Sequence, residues 1–491
     1  MADNMSLLNN LHTDARIYFI GIGGISMSGL AIMAKRLGFK VAGSDPHDNE
    51  RVHKLINMGI TVHSQHHPQW IEDFKADLVV YTAAIPYWNV ELRRAHEMGI
   101  DCVDRSVFLG WLTRSYDKVI NIAGTHGKTT TTAMCSEILI EAKRNPTVHL
   151  GAEFKGFGNS TVRAGKPGDL LVSEACEYKN SLLNFYSTTA VLLNIDKDHL
   201  DFFAGIDELI ETFAKFAADL PKSGVLIFPL RDKYIEQFLK RTEELRFSEG
   251  KENIKLISFG IADDGLSPSS FAEANAKGEL ADFVATNIKY DNGYPSFDVY
   301  KKGIFYASYT LKVPGRHNVL NSLAAIAAAD VNGANPESSV IALSKFTGTE
   351  GRFTIKGQYR NATVITDYAH HPTSTKITIE AARNLPHRKI HVVYQPLTFS
   401  RVKLLFDEYV DALKDCESLV FYEIFSDRES DSLGMSSRLI CDAINSLGSK
   451  AYFAETFADI KEYLDKNVAD GDIILFLGPE QIRSFADKLL S

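Results

Sequence analysis

The chain has 491 residues, of which 45% are apolar and 23% are charged, and its formal net charge at pH 7 is −9. That length corresponds to roughly three domains of about 150 residues, and the composition is that of a globular protein rather than a disordered or collagen-like chain. The acidic charge, without a basic run, argues against a nucleic-acid partner, because binding to phosphate backbones needs clustered Lys and Arg.

The five cysteines are widely spaced and form no C-x-x-C pair. This pattern predicts free thiols in a reducing compartment, without a disulfide framework or zinc cluster. The N-terminal segment lacks the basic and apolar regions of a signal peptide. Apolar runs stay well short of the roughly 20 residues that a membrane span needs. We therefore expect a cytoplasmic protein without membrane insertion.

Residues 1–115 alternate short β-branched apolar runs with glycine-rich turns and helical stretches. A strand is expected at 16–20, followed by a glycine-rich loop and a helix to about residue 37, with further strands at 40–42 and 77–81. This alternation is typical of parallel sheets with crossover helices, and it predicts a Rossmann-like domain in an α/β fold.

The loop of this first block reads Gly21-Ile22-Gly23-Gly24-Ile25-Ser26, and Asp45 follows the next strand. A helix N-terminus after such a loop binds diphosphates, and the acidic residue holds a ribose in dinucleotide sites. The sixth position of the dinucleotide fingerprint is Ser26 instead of glycine. The loop therefore suits another nucleotide equally well, and glycines that serve only helix–sheet packing remain an alternative.

The second block, residues 116–330, opens with an expected strand at 118–123 and the loop Gly124-Thr125-His126-Gly127-Lys128-Thr129. Glycines let backbone N–H groups approach phosphate oxygens, Lys128 can reach the β- and γ-phosphates, and the Thr129 hydroxyl can ligate Mg²⁺. The loop is two residues shorter than the common G-x-x-x-x-G-K-[ST] form, so an ordinary strand–helix turn is the alternative. We expect a P-loop domain that binds a nucleoside triphosphate.

Carboxylate and imidazole groups follow two other strands of this block, expected at 170–173 and 190–194. Glu174 ends the first, and the motif Asn194-Ile195-Asp196-Lys197-Asp198-His199 follows the second. Because the carboxyl ends of parallel strands meet at the ligand crevice, these groups are expected beside the P-loop. We favour Glu174 and His199 as metal ligands, whereas Asp196 alone is typical of a solvated loop or a helix N-cap.

The rest of the chain continues the alternation. Strands are expected at 224–228 and 255–259, antiparallel hairpins across 291–311, a helix at 318–330 and a linker at 331–336. Residues 331–491 then form a third, Rossmann-like domain with strands near 362–366, 389–395, 418–425, 450–453 and 472–476. The adjacent His370 and His371 after its first strand indicate a turn rather than a metal site, since no further ligand lies at metal spacing.

Five motifs in this order resemble the Mur ligase family, and they span nearly the whole chain. They are G-I-G-G-I-S-M-S-G-L-A from Gly21, A-G-T-H-G-K-T-T-T-T-A-M from Ala123, N-I-D-K-D-H-L-D from Asn194, P-G-R-H-N-V-L-N from Pro314 and D-Y-A-H-H-P-T from Asp367. The His of the P-loop and the doubled His resemble the alanine-adding branch and its relatives.

The resemblance implies ATP-dependent ligation of L-alanine to the carboxylate of UDP-N-acetylmuramate, through an acyl phosphate, in peptidoglycan precursor synthesis. It implies three domains, which bind the UDP-sugar, ATP with Mg²⁺ and the amino acid in chain order, and a monomer or homodimer. It assigns catalysis to Lys128, Glu174 and His199 and the metal to Thr129, Glu174 and His199. The implied ATP contacts are Gly124, Thr125, His126, Gly127, Lys128, Thr129, Thr130, Asn318, Arg352 and Asp367, and the implied UDP-sugar contacts are Gly21, Gly23, Gly24, Ser26 and Asp45.

The chain departs from the family's patterns at four places. Gly351 stands at the first arginine of G-T-x-R-R-F, Leu397-Thr398 at the H-R of Q-P-H-R-Y-T-R, Cys176 in E-A-D-E-S-D, and Pro479 in G-A-G-D. Three of the four lie in the third domain and leave the added amino acid open. A different amino acid or a recycled peptide, a non-catalytic nucleotide-binding paralogue, and an NAD-dependent dehydrogenase are the alternatives.

Overall fold

The computed structural model describes residues 11–12, 14–82, 84–262, 280–426, 429 and 431–491. These residues form three sheets of five, ten and six strands, each flanked by helices. The α/β class expected from the alternation of strands and helices is confirmed. Within the described residues, no helix combines the length and the apolar character required to cross a bilayer.

The first sheet is entirely parallel, with strand order β3-β2-β1-β4-β5. Its short outer strands β3 and β5 are half exposed, so they lack the buried apolar run by which the inner strands are predicted. Its strands are β1 Arg16–Ile20, β2 Lys40–Ser44, β3 Thr61–His63, β4 Leu78–Tyr81 and β5 Asp101–Asp104, and its helices are α1 Ile25–Arg36, α2 Glu50–Asn57, α3 Pro68–Phe74, α4 Val90–Glu97 and α5 Arg105–Thr113.

The second sheet has the order β15-β14-β13-β12-β11-β10-β6-β9-β7-β8. Its strands β6, β9, β10, β11 and β12 are parallel, and β13 to β15 form the expected antiparallel hairpins, which are thereby confirmed. The strands are β6 Lys118–Ala123, β7 Thr147–Phe154, β8 Ser160–Arg163, β9 Leu170–Glu174, β10 Thr189–Leu192, β11 Val225–Pro229, β12 Lys255–Ile261, β13 Phe283–Asp291, β14 Tyr294–Lys301 and β15 Ile304–Thr310.

Five helices accompany this sheet: α6 Lys128–Glu141, α7 Ile206–Ala218, α8 Ile235–Ser248, α9 Arg316–Val331 and α10 Pro336–Lys345. Helix α10 packs against α6 and against β15. Asn335 caps α10, so residues 332–335 form a turn between two helices. The division at residue 331 stays a prediction, and the packing of α10 favours a division nearer residue 346.

The third sheet has the order β16-β17-β21-β18-β19-β20, with β16 antiparallel at the edge. Its strands are β16 Thr354–Tyr359, β17 Ala362–Asp367, β18 Ile390–Tyr394, β19 Ser418–Phe421, β20 Ala451–Phe453 and β21 Ile473–Leu477. Its helices are α11 Pro372–Arg383, α12 Phe399–Leu404, α13 Phe406–Leu413, α14 Ser437–Ser446, α15 Phe457–Asn467 and α16 Glu480–Leu490. The carboxyl ends of β17 and β18 face the second sheet, as the contacts described below show.

Candidate functional site

The P-loop joins β6 to α6 and needs glycine at both ends. Gly124 has φ of 129° and Gly127 has φ of 85°, in the left-handed region that other residues rarely adopt. A Cβ on Gly127 would lie 2.5 Å from Oδ1 of Asn321, on α9. The backbone therefore approaches α9 closely and leaves the N-terminus of α6 open for a ligand.

Replacing Gly127 with alanine is expected to weaken nucleotide binding at least about tenfold, because the left-handed φ alone costs about 1–2 kcal/mol before the clash with Asn321 is added. Calorimetric titration of ADP into the variant measures this. Gly158, which also has a left-handed φ and has open space around its Cβ position, provides the control. Equal losses of ADP affinity in both variants would contradict a specific role for Gly127.

Lys128, the first residue of α6, has its ammonium group fully engaged. Nζ donates to the carbonyl oxygens of Gly124 and Thr125 at 2.5 and 3.1 Å, and to both carboxylate oxygens of Glu177 at 2.9 and 3.2 Å. Burial acts to lower the pKa of Lys128, but the charge of Glu177 raises it above its usual value. The lysine is therefore a fixed cation at the mouth of the P-loop.

Glu174, at the end of β9, lies directly against the first turn of α6. Its Oε2 accepts a hydrogen bond from the Thr129 hydroxyl at 3.1 Å, and its Oε1 accepts from the Gly151 N–H at 2.5 Å. Burial raises the pKa of Glu174, whereas the Gly151 N–H and the charge of Arg352 oppose that effect. The structure thus brings together the hydroxyl and the carboxylate that the sequence suggests as metal ligands.

His199, in the loop after β10, lies beside Glu177, the ion-pair partner of Lys128. Its Nε2 lies 3.6 Å from Oε1 of Glu177, and its ring packs on Tyr178 with centroids 4.7 Å apart. The backbone of His199 has a left-handed φ of 54°. This conformation is unfavourable for a residue other than glycine, so the surrounding contacts must fix the position of His199. Glu177 therefore lies between Lys128 and His199.

The segment 194–199 attaches this loop to the P-loop. The side chain of Asn194 accepts from the N–H of His126 at 2.8 Å and donates to its carbonyl oxygen at 3.0 Å. Oδ2 of Asp196 lies 3.0 Å from Nε2 of His126. Burial acts to raise the pKa of Asp196, but the hydrogen bonds from His126 and Thr373 hold it below its usual value. Asp196 is thus a structural partner of the P-loop and not the solvated residue that its position alone predicts.

The third sheet reaches the same segment through α11. His371 caps α11, and its Nε2 lies 2.8 Å from the carbonyl oxygen of Lys197. The hydroxyl of Thr373 donates to Oδ2 of Asp196 at 2.6 Å. The doubled histidine forms a turn, and His371 is also a contact between the second and third sheets. The expectation that no further metal ligand lies near it is wrong, because ligand atoms of His371, Asp196 and His126 all lie within 4.8 Å of one another and could hold a metal ion. Sequence spacing does not show this group, since its three residues come from distant segments.

Arg401, on α12, forms a buried ion pair between the two sheets. Its Nε and Nη2 donate to Oδ1 of Asp198 at 3.0 and 2.7 Å, and the two side chains are only 9% and 8% exposed. The same oxygen accepts the backbone N–H of His199 at 2.7 Å. One carboxylate oxygen thus joins the third domain to His199.

The expected ATP contacts of the third sheet lie side by side at the end of β17. The carboxylate of Asp367 accepts the N–H groups of Phe353 and Ala369, each at 2.7 Å. The guanidinium of Arg352 lies 5.0 Å from the Tyr368 ring centroid. Burial raises the pKa of Asp367 and that of Glu174 in the second sheet, and the positive charge of Arg352 opposes the effect on both. The neighbouring Glu350 contacts the second sheet directly, since its N–H donates to the carbonyl oxygen of Glu153, on β7, at 3.2 Å.

Gly351 replaces an arginine of the family's pattern, and the structure shows what takes up its space. Gly351 has a left-handed φ of 67°, and a Cβ there would clash with Nη1 of Arg483. The Arg483 guanidinium lies 5.4 Å from the centroid of the Tyr368 ring that Arg352 also covers. A second arginine thus stands beside Arg352, supplied by α16.

Asn318 and Thr130, the remaining expected ATP contacts, are buried close to the P-loop. Asn318 donates to the Pro314 carbonyl at 2.7 Å and accepts from Asn321 at 3.0 Å, and Asn321 is the residue that faces Gly127. Thr130 lies in the first turn of α6 and is 8% exposed. Whether these residues contact nucleotide stays a prediction.

The glycine-rich loop of the first sheet is closed by Asp45. Its Oδ2 accepts the Gly23 N–H at 2.8 Å, and the N–H groups of Gly21 and Ile22 donate to the Ser44 carbonyl. A Cβ on Gly23 would lie 2.7 Å from Val52, so this glycine is required for packing. Gly24 caps α1 without a side-chain hydrogen bond, which leaves first-turn N–H groups available to an anion.

Ser26 and Arg105 connect this loop to the second sheet. The Ser26 hydroxyl lies 3.1 Å from Nε2 of His149, on β7, and accepts from Nη1 of Arg105 at 2.8 Å. Burial lowers the pKa of His149 to about 4, and the charge of Arg105 adds to that effect, so the imidazole is neutral at pH 7. Burial raises the pKa of Cys176, which precedes Glu177, and the charge of Arg105 opposes that effect. The first-sheet loop and the P-loop site are therefore neighbours.

Sequence reasoning missed the site roles of Glu177, Asp198, Arg105 and Arg401. A weak signal existed for Asp198, since it belongs to the charged D-K-D stretch directly after β10. Glu177 and Arg401 lie in stretches that partly match the family's patterns E-A-D-E-S-D and Q-P-H-R-Y-T-R, but neither pattern indicates their partners, and Arg105 carries no comparable pattern. Their contacts depend on how distant segments pack, which periodicity and spacing do not encode.

The geometry defines a class of protein before any comparison is made. A P-loop with a fixed lysine, a hydroxyl–carboxylate pair beside it, and two flanking α/β bodies that touch it describe a nucleotide-dependent enzyme with its site between three sheets. Residues 122–329 match the model of the Mur ligase middle domain, residues 16–117 that of the Mur ligase family catalytic domain, and residues 351–479 that of the Mur ligase glutamate ligase domain. The chain belongs to the Mur ligase family, which confirms the resemblance seen in its motifs.

Relatives extend over the whole chain. A protein of Clostridium acetobutylicum named UDP-N-acetylmuramate–L-alanine ligase is 40% identical over 97% of this chain and 97% of its own. A Lachnospira eligens protein of the same name is 41% identical over 96% of this chain and 97% of its own. The chain is an enzyme of this ligase family, which leaves no support for the dehydrogenase alternative.

Two solved structures share the three-sheet architecture. The UDP-N-acetylmuramate–alanine ligase of Thermotoga maritima superposes with a TM-score of 0.76 at 26% identity, covering 97% of this chain and 98% of its own. A murein peptide ligase from Psychrobacter arcticus has a TM-score of 0.69 at 22% identity, with coverage of 97% and 98%, and shows the fold alone.

Proposed function

We propose that this chain ligates L-alanine to the carboxylate of UDP-N-acetylmuramate, with ATP as the energy source, as a step of peptidoglycan precursor synthesis. The observation that carries the proposal is the agreement between full-length relatives of that name and three features of the P-loop site: a lysine paired with Glu177, a histidine beside that glutamate, and a hydroxyl–carboxylate pair at the first turn of α6. Intact Lys128, Glu174 and His199 also argue against a non-catalytic paralogue, because these are the residues to which the proposal assigns catalysis.

In this proposal each of the three sheets binds a different substrate. The loop of the first sheet, with Gly21, Gly23, Gly24, Ser26 and Asp45, holds the diphosphate of the UDP-sugar. The P-loop of the second sheet holds ATP, and the third sheet binds the amino acid. The Ser26–His149 contact supports this division, because it places the first-sheet loop against β7, whose Gly151 touches Glu174.

The chemistry follows from the poor reactivity of a carboxylate. Its oxygen attacks the γ-phosphorus of ATP, and ADP leaves, so that an acyl phosphate forms. The amino group of alanine then attacks the acyl carbon, an amide bond forms and inorganic phosphate departs. Lys128 stabilises the negative charge that shifts toward the leaving ADP, which is electrostatic work in a buried site.

The residues present suit a magnesium ion as the partner of ATP. Thr129 and Glu174 offer a hydroxyl and a carboxylate oxygen 3.1 Å apart, and Mg²⁺ prefers oxygen ligands together with substrate phosphates. Glu174 is a buried carboxylate that a cation would stabilise. In this proposal Thr129, Glu174 and His199 hold the ion, and its charge offsets that of the transferring phosphoryl group when it is bound.

Contacts between the second and third sheets suit the protection of an acyl phosphate. The pair of Asp198 with Arg401 and the hydrogen bonds from His371 and Thr373 close one side of the cluster. Such closure excludes water, which would otherwise hydrolyse the intermediate.

Phosphate release is expected to require both UDP-N-acetylmuramate and an amino acid, with alanine giving the highest rate among the twenty standard amino acids. A coupled assay of phosphate, with each substrate omitted in turn, measures this. A rate that is unchanged without amino acid would contradict the ligase. Faster turnover with glycine, serine or a peptide would instead assign another amino acceptor, which the replacements at Gly351, Leu397 and Thr398 make worth testing.

A further inference from the structure

Glu177 is the most deeply buried ionic partner in the site. Its side chain has no exposed surface, and both of its oxygens accept from Nζ of Lys128. The turn that follows is held in place, since Lys179 and Asn180 have left-handed φ values of 52° and 58° and the Asn180 N–H donates to the Glu177 carbonyl. Two successive residues other than glycine in the left-handed region cost conformational energy. The surrounding structure must therefore hold this turn, and with it Glu177, in place.

The hydrogen bonds of Lys128 are saturated in this arrangement. An ammonium group has three N–H donors, and here the acceptors are the carbonyls of Gly124 and Thr125 and the carboxylate of Glu177. A phosphate oxygen can bind Nζ only if one acceptor is released. The carbonyls belong to the loop that surrounds the phosphates, whereas the carboxylate is an anion that another anion can replace.

We propose that Glu177 is a positioning residue, which holds Lys128 in place as its counter-ion until a nucleotide phosphate displaces the carboxylate. The inference rests on the proposed function, since it assumes that Lys128 binds ATP. A buried ammonium without a partner is strongly unfavourable, so the carboxylate keeps the lysine charged and ordered before ATP binds. After the exchange, Glu177 faces His199, which lies 3.6 Å away. A group that carries more negative charge than a carboxylate, such as a polyphosphate, is the ligand class that this exchange selects.

The test is calorimetric titration of ADP into the full chain without magnesium, with EDTA present. Glu177→Gln removes the competing charge and is expected to tighten ADP binding about tenfold, which corresponds to about 1.4 kcal/mol. Asp472→Asn is the matched control, because it removes a fully buried carboxylate of the third sheet that pairs with Arg388 and His391 rather than with Lys128. Its effect on the ADP affinity is expected to stay below about threefold.

A second pair of variants tests whether Glu177 acts through the lysine. In a Lys128→Met background, Glu177→Gln is expected to change the ADP affinity less than about threefold. Glu177→Asp keeps the charge and is expected to bind ADP more weakly than Glu177→Gln, which covers the case in which the glutamine variant folds poorly.

Three results would overturn the inference. They are unchanged or weaker ADP binding in Glu177→Gln, an equal gain in Asp472→Asn, and a gain that persists without Lys128. Wild-type protein that binds no ADP, with or without magnesium, would overturn the proposed function as well, so that failure is distinguishable from a failure of the exchange alone.

Discussion

Replacement of Lys128 with alanine is expected to reduce ligase turnover by at least about 10³-fold while UDP-N-acetylmuramate still binds. The reason is that Lys128 is expected both to bind the nucleotide phosphates and to stabilise the charge that moves during phosphoryl transfer. Removal of one such electrostatic group from a buried site costs about 10²–10³ in rate before any loss of ATP binding is added. Phosphate release measures turnover, and calorimetry measures binding of the UDP-sugar. Binding should persist because the proposed sugar loop lies on the first sheet, where its side-chain partners are Asp45, His149 and Arg105 rather than Lys128.

Two controls accompany this variant. Lys118 is exposed at the opposite end of β6 from the P-loop, so Lys118→Ala removes the same charge without touching the site. Since loss of Lys128 leaves the buried Glu177 carboxylate unpaired, thermal denaturation is measured in parallel. A folded Lys128→Ala protein that no longer binds the UDP-sugar would refute the division of labour, as would turnover close to that of the wild type.

Replacement of Arg401 with leucine is the second substitution with a large expected effect. It leaves Asp198 buried without its ion-pair partner, and breaking a buried pair in this way costs about 3–5 kcal/mol. Because the same carboxylate oxygen holds the His199 backbone, phosphate release is expected to fall about 10²-fold, the cost of a small misplacement at a reacting centre. Small-angle scattering should show a larger radius of gyration if the third domain separates.

A matched control exists on the same domain. Arg438 pairs with Glu455 at 3.0 Å, but both side chains are more than half exposed, so Arg438→Leu should cost less than about 1 kcal/mol. Asp198→Asn combined with Arg401→Leu should be less damaging than the sum of the single changes, because no unpaired charge is left. Strict additivity would show that the pair is not coupled.

The acid stability of this pair follows from the ionisation of Asp198. Burial acts to raise the pKa of Asp198, but the charge of Arg401 lowers it well below its usual value. A carboxylate whose pKa is lower in the folded state stabilises the fold above its unfolded pKa of about 3.9 and loses that effect only as the pH falls further. The contact between the second and third domains therefore persists across the neutral range.

The local patterns of the chain suffice to predict the α/β class and most buried strands. Inner strands such as β1 and β6 are continuous apolar runs, and they are correctly placed to within a residue or two. The short strands β3, β5 and β16 carry half-exposed residues, so they lack that signal and become visible only by their pairing. The hairpin of β7 and β8 is not expected from the sequence either, for a different reason: most of its residues are buried, but polar residues such as Thr147, His149 and Ser160 interrupt the apolar run.

What the sequence by itself determined is the set of loops that follow buried strands: the glycines at 21–24, the P-loop, Glu174 and the segment 194–199. These are local features, because phosphate cradles and strand-end carboxylates depend on residue type and spacing along one stretch of chain. Only the tertiary structure decided that the Glu177 carboxylate pairs with the Lys128 ammonium group and that the Arg401 guanidinium group pairs with the Asp198 carboxylate. The latter two residues are 203 positions apart, and a contact at that distance is set by how separately folded sheets pack and not by any pattern in the chain.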